Sequence, residues 1–420
     1  MFRNGIAVIG LGYIGLPTCA ALTQQGLTVH GVDVNERTVS EINAGRVPIV
    51  EPDLDEAIEE AVTSGRLQAS TRVPAASYYL IAVPTPFKGD HEPDLSYIRS
   101  ATEAIAPRLR GGEVVILEST SPPGTTRKIS EWLAELRPDL RLPHQSERPD
   151  VHLAHCPERV LPGRIMVEIF SNDRVVGGLT PACAERAAAL YRTFVTGEIL
   201  LTDATSAEMA KLTENSFRDV NIAFANELAE ICEELGLDVW EVIRLANRHP
   251  RVNILNPGPG VGGHCIAVDP WFIVASAPER ARLIRTARET NDARPHTIVS
   301  KVKGALSELG AGPDGENATI ACLGLAFKAD IDDLRESPAL GITEQLANDL
   351  PGATILAVEP HVTALPKSLH GRANVFAAEV SYAVHEADVV LLLVDHHAFK
   401  HLTLGDLEGK KVIDTRGLWR

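Results

Sequence analysis

The most unusual part of the 420-residue chain is a glycine- and proline-rich segment that contains one cysteine. Residues 256–270 read NPGPGVGGHCIAVDP, so Cys265 follows His264 and lies four residues before Asp269. A cysteine is usually a small buried residue, but a segment this rich in turn-forming residues is a poor place for a core side chain. An ordinary thiol is mostly protonated at neutral pH, and a neighbouring cation would raise its thiolate fraction. The segment therefore predicts Cys265 as a nucleophile. Because an adjacent His-Cys pair rarely supplies a tetrahedral site, no metal is expected.

Three polar residues share one face of a long predicted helix. Lys211, Asn215 and Arg218 are spaced i, i+4 and i+7, which places them on one side of a helix. A lysine, an amide and a guanidinium in this arrangement could hold an oxyanion and a phosphate. The spacing alone fits a solvated helix face better than a catalytic one. Lys211 is also the candidate cation for activating Cys265.

A glycine pattern near the amino terminus is typical of dinucleotide binding. The run GLGYIG that starts at Gly10 follows an apolar strand pattern and opens a helical one, as the GxGxxG motif requires. Gly10 permits the tight turn, Gly12 lets a pyrophosphate approach the backbone, and Gly15 lets the helix pack on the strand. Asp33 ends the next strand, where a carboxylate can bind a ribose and repel a 2′-phosphate, so NAD is favoured over NADP. Arg37 weakens this preference, because a nearby arginine can bind the 2′-phosphate of NADP. We predict bound NAD; the alternative is a purely structural turn.

Two further loops follow predicted strands and contain threonines. The loop at 83–86 contains Thr85, and the loop at 118–126 contains Thr120 and Thr126. Loops at the carboxyl ends of parallel strands line the ligand crevice of such sheets, so these hydroxyls are candidates for binding cofactor or substrate. Ordinary Ser/Thr turn chemistry is an equal alternative for each of them.

Short apolar runs alternate with amphipathic patterns towards both ends of the chain. Strands are expected at 6–9, 28–32, 79–83, 113–117, 151–154, 319–323, 354–358, 389–394 and 411–413. This order predicts an α/β fold with two doubly wound, Rossmann-like domains. Residues 205–235 instead predict one long helix, whose surplus apolar surface indicates a subunit interface. We expect an NAD-binding domain over 1–204, a helical middle domain over 205–310 and a second Rossmann-like domain over 311–420.

Composition disfavours several classes of function. The chain has 40 Lys and Arg residues against 56 Asp and Glu residues, a formal net charge of −16, which argues against nucleic-acid and anionic-membrane partners. Its six cysteines contain no CxxC pair, which argues against a zinc module or a disulfide scaffold. The uncharged stretch 4–29 is broken by glycines and Pro17, so it does not predict a membrane span. We expect a soluble, cytoplasmic protein.

Seven sequence blocks resemble the nucleotide-sugar 6-dehydrogenase family, which contains UDP-glucose and GDP-mannose dehydrogenases. The blocks are GLGYIGLP at 10–17, VPTPFKGDHEPD at 83–94, CPERVLPG at 156–163, AEMAKLTENSFRDVNIAFANEL at 207–228, LANRHPRVNIL at 245–255, PGPGVGGHCIAVDPWFI at 257–273 and GLAFKADIDDLRESPA at 324–339. The GHCIAVD form of the cysteine segment is similar to the branch that acts on UDP-N-acetyl-D-mannosamine. UDP-glucose members typically carry a form like GSCFPKD. One departure is Ala329-Asp330, where near relatives often have Pro-Asn.

The resemblance implies a four-electron oxidation of C6 of UDP-N-acetyl-D-mannosamine, from alcohol to carboxylate, with two NAD used in succession for bacterial cell-surface polysaccharide synthesis. Lys211 would be the base of the first oxidation, directly or through water. Cys265 would then form a thiohemiacetal and a thioester, and Lys211 and Asn215 would stabilise the oxyanions. Glu158 and Asp269 would orient Lys211 or the hydrolytic water.

The glycine turn, the threonine loops and the resemblance together predict the ligand contacts. The predicted cofactor-binding residues are Gly10, Gly12, Tyr13, Ile14, Gly15, Asp33, Arg37, Thr85, Thr120, Thr126 and Arg335. The substrate-binding residues that the resemblance implies are Arg159, Val160, Lys211, Asn215, Arg218, His249, Arg251, Gly262, Phe327 and Lys328. Simpler roles stay open, because His249 and Arg251 could cap a turn and Arg335 could form an ion pair. We expect a homodimer or a dimer of dimers built through the long helix.

Three alternative functions remain open. The same chemistry could act on UDP-N-acetylglucosamine, UDP-glucose or GDP-mannose. A two-electron dehydrogenase of the hydroxyacid type shares the amino-terminal unit and a helical lysine, but it needs neither Cys265 nor a second nucleotide-binding unit. A non-catalytic sensor of NAD or of a UDP-sugar is the third alternative, and the combination of Lys211, Asn215, Cys265 and Asp269 disfavours it.

Overall fold

A computed structural model describes residues 5–49, 51–89, 91–263 and 265–419. The chain divides into two compact units. The first unit consists of residues 1–214 and 275–278, and the second of residues 215–274 and 279–420. Each unit is built around its own sheet, which is mostly parallel in the first unit and parallel in the second.

The first unit alternates strands and helices along the chain. Its strands are β1 (Ile6–Ile9), β2 (Val29–Val32), β3 (Leu67–Ser70), β4 (Tyr78–Ile81), β5 (Phe87–Lys88), β6 (Glu92–Pro93), β7 (Val114–Leu117), β8 (His152–His155), β9 (Arg174–Gly178) and β10 (Ile199–Asp203). Its helices are α1 (Gly15–Gln24), α2 (Glu36–Asn43), α3 (Leu54–Thr63), α4 (Ser96–Ile105), α5 (Thr125–Leu136), α6 (Ile165–Ser171), α7 (Pro181–Tyr191) and the start of α8 (Ala204–Glu234), with a 3₁₀ turn at Ala106–Arg108.

The described strands of this unit form a sheet in the order β10-β9-β8-β7-β4-β1-β2-β3, and β5 pairs with β6 in a separate hairpin. The strands from β8 to β3 in this order are parallel, which confirms the doubly wound prediction. The carboxyl ends of β1, β4, β7 and β8 therefore lie at one edge of the sheet. β9 pairs antiparallel with β8, and β10 pairs parallel with β9. The sequence patterns did not predict these last two strands.

Buried apolar clusters cover both faces of the first sheet. One cluster joins β1 to α1, α3 and α7, with Ile6, Leu16 and Leu190 among its members. The other lies on the opposite face and includes Ile9 and Ile129. Alternate residues of a strand point to opposite faces, so a strand covered on both sides must be apolar throughout. This explains the continuous apolar runs by which the strands are predicted.

Helix α8 runs from the first unit into the second and confirms the long helix predicted over 205–235. One side of it is buried, with Leu212 and Cys232 almost fully inaccessible. Another side leaves Phe217, Phe224 and Ile231 exposed at intervals of seven residues. A spacing of seven keeps residues on one stripe of a helix, so α8 carries an exposed apolar stripe as well as a buried one.

The second unit contains the remaining elements, except that the last two residues of α10 belong to the first unit. Its helices are α9 (Val239–Ala246), α10 (Asp269–Ser276), α11 (Arg282–Glu308), α12 (Pro338–Asp349) and α13 (Val380–Glu386), with 3₁₀ turns at His397–His401 and Leu404–Leu407. Its strands are β11 (Thr319–Leu323), β12 (Thr354–Val358), β13 (Val375–Ala377), β14 (Val389–Leu392) and β15 (Lys411–Asp414). They form a parallel sheet in the order β13-β12-β11-β14-β15, with buried apolar residues on both faces. The second doubly wound sheet is thus also as predicted.

Among the described residues, no helix has both the length and the apolar character required to cross a bilayer.

Candidate active site

The glycine turn between β1 and α1 leaves an open space beside a helix amino terminus. A Cβ on Gly15 would lie 1.8 Å from the Gly10 carbonyl oxygen, and a Cβ on Gly10 would lie 2.5 Å from the carbonyl oxygen of Ala82. A Cβ on Gly12 would meet nothing within 4 Å. Gly10 and Gly15 therefore permit the close packing of turn, strand and helix. Gly12 faces space that a pyrophosphate can enter. Tyr13 and Ile14 complete the turn, and Ile14 is the N-cap of α1.

Asp33 ties this turn to the end of β2. Its carboxylate accepts the backbone N–H of Leu11 at 3.0 Å and that of Asn35 at 2.9 Å. Arg37 lies on the exposed face of α2, where its Nε donates to Glu41 at 2.8 Å. The turn, the acid and the helix end together fit NAD, with Asp33 at the position expected for the adenosine ribose.

The threonine loops at the carboxyl ends of β4 and β7 differ in how their hydroxyls are satisfied. Within the described part of the chain, the buried hydroxyls of Thr85 and Ser121 have no hydrogen-bond partner. Buried hydroxyls normally have one, so an incoming ligand or water can satisfy them. Thr120 is half-buried. Thr126 is fully buried, and its hydroxyl donates to Glu208 at 2.6 Å.

Glu208 of α8 caps helix α5. Its carboxylate accepts the backbone N–H of Gly124 at 2.5 Å and of Thr126 at 2.7 Å, besides the Thr126 hydroxyl. A carboxylate at a helix amino terminus satisfies otherwise unpaired donors. Glu208 lies three residues before Lys211, so this cap fixes the start of the helix that carries the lysine. Sequence reasoning did not single out Glu208.

A buried ion pair holds the loop that follows β8. Glu158 accepts the Arg174 Nη1 at 2.6 Å and the Arg159 backbone N–H at 2.7 Å. The Arg174 guanidinium also lies over the Tyr191 ring, 5.6 Å from its centroid. Arg159 itself pairs with Glu214 of α8 at 2.7 Å, and Val160 packs against the apolar core. The pairing with Arg174 was not predicted from the sequence.

A second acid, Glu118, lies in the same interior. The Tyr191 hydroxyl donates to Glu118 at 2.7 Å, and the Thr18 hydroxyl lies 3.5 Å away. Burial, reinforced by the charge of Glu158, raises the pKa of Glu118 to about 7. His155, at the end of β8, is fully buried, and burial lowers its pKa to about 3. Both groups are titratable residues that the motifs did not reveal.

The segment that carries Cys265, here called the cysteine loop (residues 256–268), contains no helix or strand among its described residues, and His264 lies outside them. Cys265 is exposed, whereas the other five cysteines are buried. Burial raises the pKa of the Cys156 and Cys322 thiols to about 12. Cys265 is therefore the cysteine whose thiol is available for chemistry with a ligand.

The end of the cysteine loop is attached to α8. Asn215 is buried and its Nδ2 donates to the Asp269 carboxylate at 2.5 Å. The Asp269 backbone N–H donates to the Cys265 carbonyl at 2.8 Å, where α10 begins. Asn215 thus faces the protein rather than solvent, although Lys211 is only half-buried and Arg218 is exposed on the same helix.

The cysteine loop also packs on the loop that follows β11. A Cβ on Gly262 would lie 2.4 Å from the Glu336 carbonyl oxygen and 3.0 Å from the Phe327 Cβ, and a Cβ on Gly263 would lie 3.1 Å from the Phe327 ring. Lys328, next to Phe327, is exposed. The second unit thereby brings the predicted substrate residues Phe327 and Lys328 beside the cysteine loop, which itself contains Gly262.

The three other predicted contacts lie on exposed turns. The Arg251 backbone N–H donates to the His249 Nδ1 at 3.3 Å after α9, as the turn-capping alternative expects. Arg335 makes two hydrogen bonds to Asp333, at 2.8 and 2.6 Å. Both simpler roles are thus present in the structure.

A histidine cluster follows β12 and β14. Asp330, His361 and His396 offer ligand atoms within 4.8 Å of one another. The buried His396 already uses both ring nitrogens, because Nδ1 accepts the Asp330 N–H at 2.9 Å and Nε2 donates to Glu359 at 3.1 Å. The cluster is therefore held by its own hydrogen bonds.

Comparison with known proteins identifies three matched regions. Residues 4–195 match the NAD-binding domain of the UDP-glucose/GDP-mannose dehydrogenase family, residues 205–293 its central domain and residues 321–420 its UDP-binding domain. The predicted cofactor, NAD, is confirmed by the first match. The chain is an NAD-dependent oxidoreductase.

Individual relatives agree over the full length. The chain is 57% identical over 418 residues to a UDP-N-acetyl-D-mannosamine dehydrogenase of Yersinia pestis, covering 99% of both chains. It is 56% identical to an NDP-N-acetyl-D-galactosaminuronic acid dehydrogenase of Ralstonia nicotianae, covering 100% of this chain and 96% of the relative. A solved UDP-D-ManNAc dehydrogenase from Pyrococcus horikoshii superposes with a TM-score of 0.87 at 39% identity, covering 99% of this chain and 96% of that structure. The chain therefore belongs to the UDP-glucose/GDP-mannose dehydrogenase family, as its sequence blocks predict.

Proposed function

We propose that the protein oxidises C6 of UDP-N-acetyl-D-mannosamine to the carboxylate, giving UDP-N-acetyl-D-mannosaminuronate. The observation that carries this proposal is the exposed Cys265 on a loop whose end is attached to Asn215 through Asp269. A two-electron dehydrogenase has no use for a nucleophilic thiol. The 57% identity to the Yersinia pestis enzyme supports the choice of sugar.

NAD, when bound, accepts a hydride, and two molecules are used in succession. In the first oxidation, Lys211 removes the proton of the C6 hydroxyl, directly or through water, while C6 loses a hydride and becomes an aldehyde. The Cys265 thiolate then forms a C–S bond to the aldehyde carbon, and the resulting oxygen takes up a proton to give a thiohemiacetal.

The second oxidation removes the hydride and the hydroxyl proton of the thiohemiacetal and leaves a thioester. Water adds to the thioester carbonyl, the C–S bond breaks, and the carboxylate and the thiolate separate. One alcohol, one water and two NAD⁺ thus give one carboxylate, two NADH and three protons. Lys211 and Asn215 stabilise the oxyanions, an effect of about 3–4 kcal/mol for a well-placed donor.

Two acids orient this machinery. Asp269 accepts the Asn215 amide and so directs that side chain. Glu158 is buried and forms an ion pair with Arg174. We expect it to orient Lys211 or the hydrolytic water through the loop at Arg159 and Val160.

Basic and glycine residues are proposed to hold the nucleotide sugar. The substrate contacts are Arg159, Val160, Lys211, Asn215, Arg218, His249, Arg251, Gly262, Phe327 and Lys328. Guanidinium groups suit a pyrophosphate because they donate two parallel hydrogen bonds to its oxygens. The proposed NAD contacts are Gly10, Gly12, Tyr13, Ile14, Gly15, Asp33, Arg37, Thr85, Thr120 and Arg335, with Thr126 acting through the α5 terminus.

The proposed domains are residues 1–204, 205–310 and 311–420, and each contains one of the family's matched regions. We also propose a cytoplasmic enzyme that supplies the sugar acid to a cell-surface polysaccharide. The exposed stripe of Phe217, Phe224 and Ile231 supports a homodimer or a dimer of dimers. Light scattering tests this assembly, because Phe224→Glu is expected to reduce the measured mass to that of one chain.

The activity is tested with purified protein, NAD and UDP-N-acetyl-D-mannosamine. The expected yield is two NADH for each sugar oxidised. Cys265→Ala is expected to stop the reaction before the acid, whereas Cys232→Ala, at a buried position of α8, is expected to remain active. A full yield of acid from Cys265→Ala would contradict the covalent route, one NADH per sugar would favour the hydroxyacid-type reaction, and binding without NADH would favour a sensor.

A second sugar is supported by the 56% identity to the Ralstonia nicotianae relative. UDP-N-acetylgalactosamine is therefore compared with UDP-N-acetyl-D-mannosamine by kcat/KM, together with UDP-N-acetylglucosamine, UDP-glucose and GDP-mannose. A higher kcat/KM for any of these four would replace the proposed substrate and leave the chemistry unchanged.

A further inference from the structure

We propose that Asn226 and Arg294 are positioning residues for Cys265: they hold the start of the cysteine loop so that the sulfur lies where the second oxidation needs it. This inference rests on the covalent function proposed above. Neither residue was singled out by the sequence motifs, and both are almost fully buried.

Asn226 and Arg294 each bind one of the two backbone groups of Gly258, near the start of the cysteine loop. The Gly258 N–H donates to the Asn226 Oδ1 at 2.8 Å, and the Arg294 Nε donates to the Gly258 carbonyl at 3.2 Å. Asn226 belongs to α8 and Arg294 to α11, and Arg294 is in turn paired with Glu230 at 2.8 Å. Two helices thus fix the position of this residue, seven positions before Cys265.

A buried carboxylate sets the direction of these hydrogen bonds. The Asp219 Oδ1 accepts from the Arg288 guanidinium, so Asn291 also turns its Nδ2 towards this oxygen, at 2.8 Å. Asn291 then presents its oxygen to the Asn226 Nδ2 at 2.9 Å, which leaves the Asn226 oxygen for Gly258. Burial raises the pKa of the Asp219 carboxyl, and the Arg288 guanidinium, which donates to it at 2.5 Å, opposes that effect. Because each amide has one compatible orientation, the chain of bonds selects a single arrangement at Gly258.

Helix α8 therefore holds the cysteine loop at two places. Asn226 holds its start at Gly258, and Asn215 holds its end through Asp269. At 1.5 Å per residue, these two attachment points are about 16 Å apart along the helix. The loop backbone also approaches the start of α12 closely, because a Cβ on Gly260 would lie 3.0 Å from the Pro338 Cβ.

The two oxidations depend on this position to different degrees. Forming the aldehyde requires a base but no thiol, whereas the thiohemiacetal requires the sulfur within about 3–3.5 Å of the aldehyde carbon. A displacement of about 1 Å can slow such a step about 100-fold. Loosening the loop at Gly258 is therefore expected to slow the second oxidation selectively.

The test compares Asn226→Ser and Arg294→Lys with the unsubstituted protein. We expect the rate of acid formation to fall about 100-fold, with KM unchanged, and the yield of NADH per sugar consumed to fall from two towards one. The aldehyde released is trapped with hydroxylamine and measured. The rate and pH midpoint of Cys265 alkylation by iodoacetamide are measured without substrate, and both are expected to change.

Two matched controls remove neighbouring interactions and leave the loop attached. Asn221→Ser makes the same change on α8, at a side chain that bonds only its own helix at Phe217 among the described residues. Glu230→Gln removes the ion pair of Arg294 but not its bond to Gly258. Both controls are expected to stay within twofold of the unsubstituted protein.

The inference is overturned if folded Asn226→Ser and Arg294→Lys give two NADH per sugar at the normal rate with unchanged alkylation of Cys265. It is also overturned if both variants unfold, because the network would then maintain the fold rather than the loop. If one unfolds, the other decides. Failure of the proposed function is separate, since it appears in the unsubstituted protein as one NADH per sugar, while alkylation still reports the position of Cys265.

Discussion

The two large sheets each begin with the same kind of turn, but the residues after the turn differ. Gly10 and Gly324 both have positive φ, 93° and 92°. The next residue in each case, Leu11 or Leu325, donates its N–H to an acid that follows the neighbouring strand, Asp33 at 3.0 Å or Glu359 at 2.8 Å.

After that shared turn the two sheets diverge. In the first sheet, α1 begins at residue 15, and Gly12 faces open space. In the second sheet, residues 324–337 precede α12 and carry Phe327 and Lys328. The same strand and turn can therefore support recognition of an anion by backbone groups at a helix end, or recognition of a ligand by the side chains of a long loop.

Their buried polar groups differ as well. The first unit buries an ion pair, Arg174 with Glu158, and a raised-pKa acid, Glu118. The second sheet instead pairs Glu359 with His396.

Arg174→Met is expected to have the largest effect. It leaves the Glu158 carboxylate buried without its cation, which costs about 3–5 kcal/mol of folding free energy. Arg192→Met is the control, because the exposed pair of Arg192 with Glu185 contributes less than about 1 kcal/mol. Guanidinium denaturation followed by circular dichroism measures both, and equal losses would contradict the assigned importance of the buried pair.

The two acids are expected to give opposite pH dependence. The folded protein holds the proton of Glu118 up to about pH 7, against an ordinary pKa of 4.5. The protonated Glu118 therefore contributes roughly 3 kcal/mol to the free energy of unfolding below pH 4.5. That contribution is lost as the pH rises to about 7. The free energy of unfolding of Glu118→Gln, relative to that of the unsubstituted protein, should therefore rise by that amount between pH 4.5 and pH 8. His155, whose stabilising effect is lost as pH falls below 6.5, is common to both proteins and cancels in the difference.

For Glu359 the sign is reversed. Hydrogen bonds from His396 and from the Leu325 N–H lower its pKa below the ordinary 4.5, against the opposing effect of burial. Its stabilising effect is present above pH 4.5 and is lost as pH falls through the lower folded value. Glu359→Gln should therefore lose less stability than the unsubstituted protein in acid denaturation. A loss of equal size would show that Glu359 does not govern this range.

Substitutions in the two turns should separate ligand binding from folding. A Cβ on Gly12 meets nothing, so Gly12→Ala should leave the melting temperature unchanged and weaken NAD binding about tenfold, since the methyl group occupies the pyrophosphate space. A Cβ on Gly324 would lie 2.4 Å from the Val394 Cβ, so Gly324→Ala should cost about 1–3 kcal/mol of stability. Calorimetric NAD titration and thermal melting measure the two effects. If Gly324→Ala weakened NAD binding and Gly12→Ala did not, the turn at Gly324 rather than the turn at Gly12 would bind NAD.

The smallest effect is expected for Arg37→Ala. The ion pair of Arg37 with Glu41 is on an exposed helix face, where solvent screens the attraction between the two charges. Burial plays no part, so the melting temperature should hardly change. The ratio of kcat/KM for NAD and NADP should also stay constant, and a rise in preference for NAD would show that Arg37 serves NADP.

Local patterns were sufficient for much of the fold. Strands β1, β11 and β12 have the predicted bounds, because apolar runs buried on both faces are visible in one stretch of sequence. Strand β9 was missed because Arg174 and two glycines interrupt its pattern. Arg174 becomes compatible with burial only through Glu158, sixteen residues away in the chain.

The site divides in the same way. The glycine turn and the Cys265 loop are local motifs, and their ligand roles stay predictions until tested. The contact of Asn226 with Gly258 and that of Arg294 with Gly258 join segments 32 and 36 residues apart. Spacing along the chain gives no signal for such contacts, because they exist only after the helices have packed.

Hydrogen peroxide meets one exposed thiol among the cysteines of this protein, because the other five are buried. Oxidation should therefore begin at residue 265, as a sulfenic acid that a reductant can restore, and become irreversible at the sulfinic stage. The fraction of enzyme that a reductant rescues would then report how far damage at that single atom had advanced.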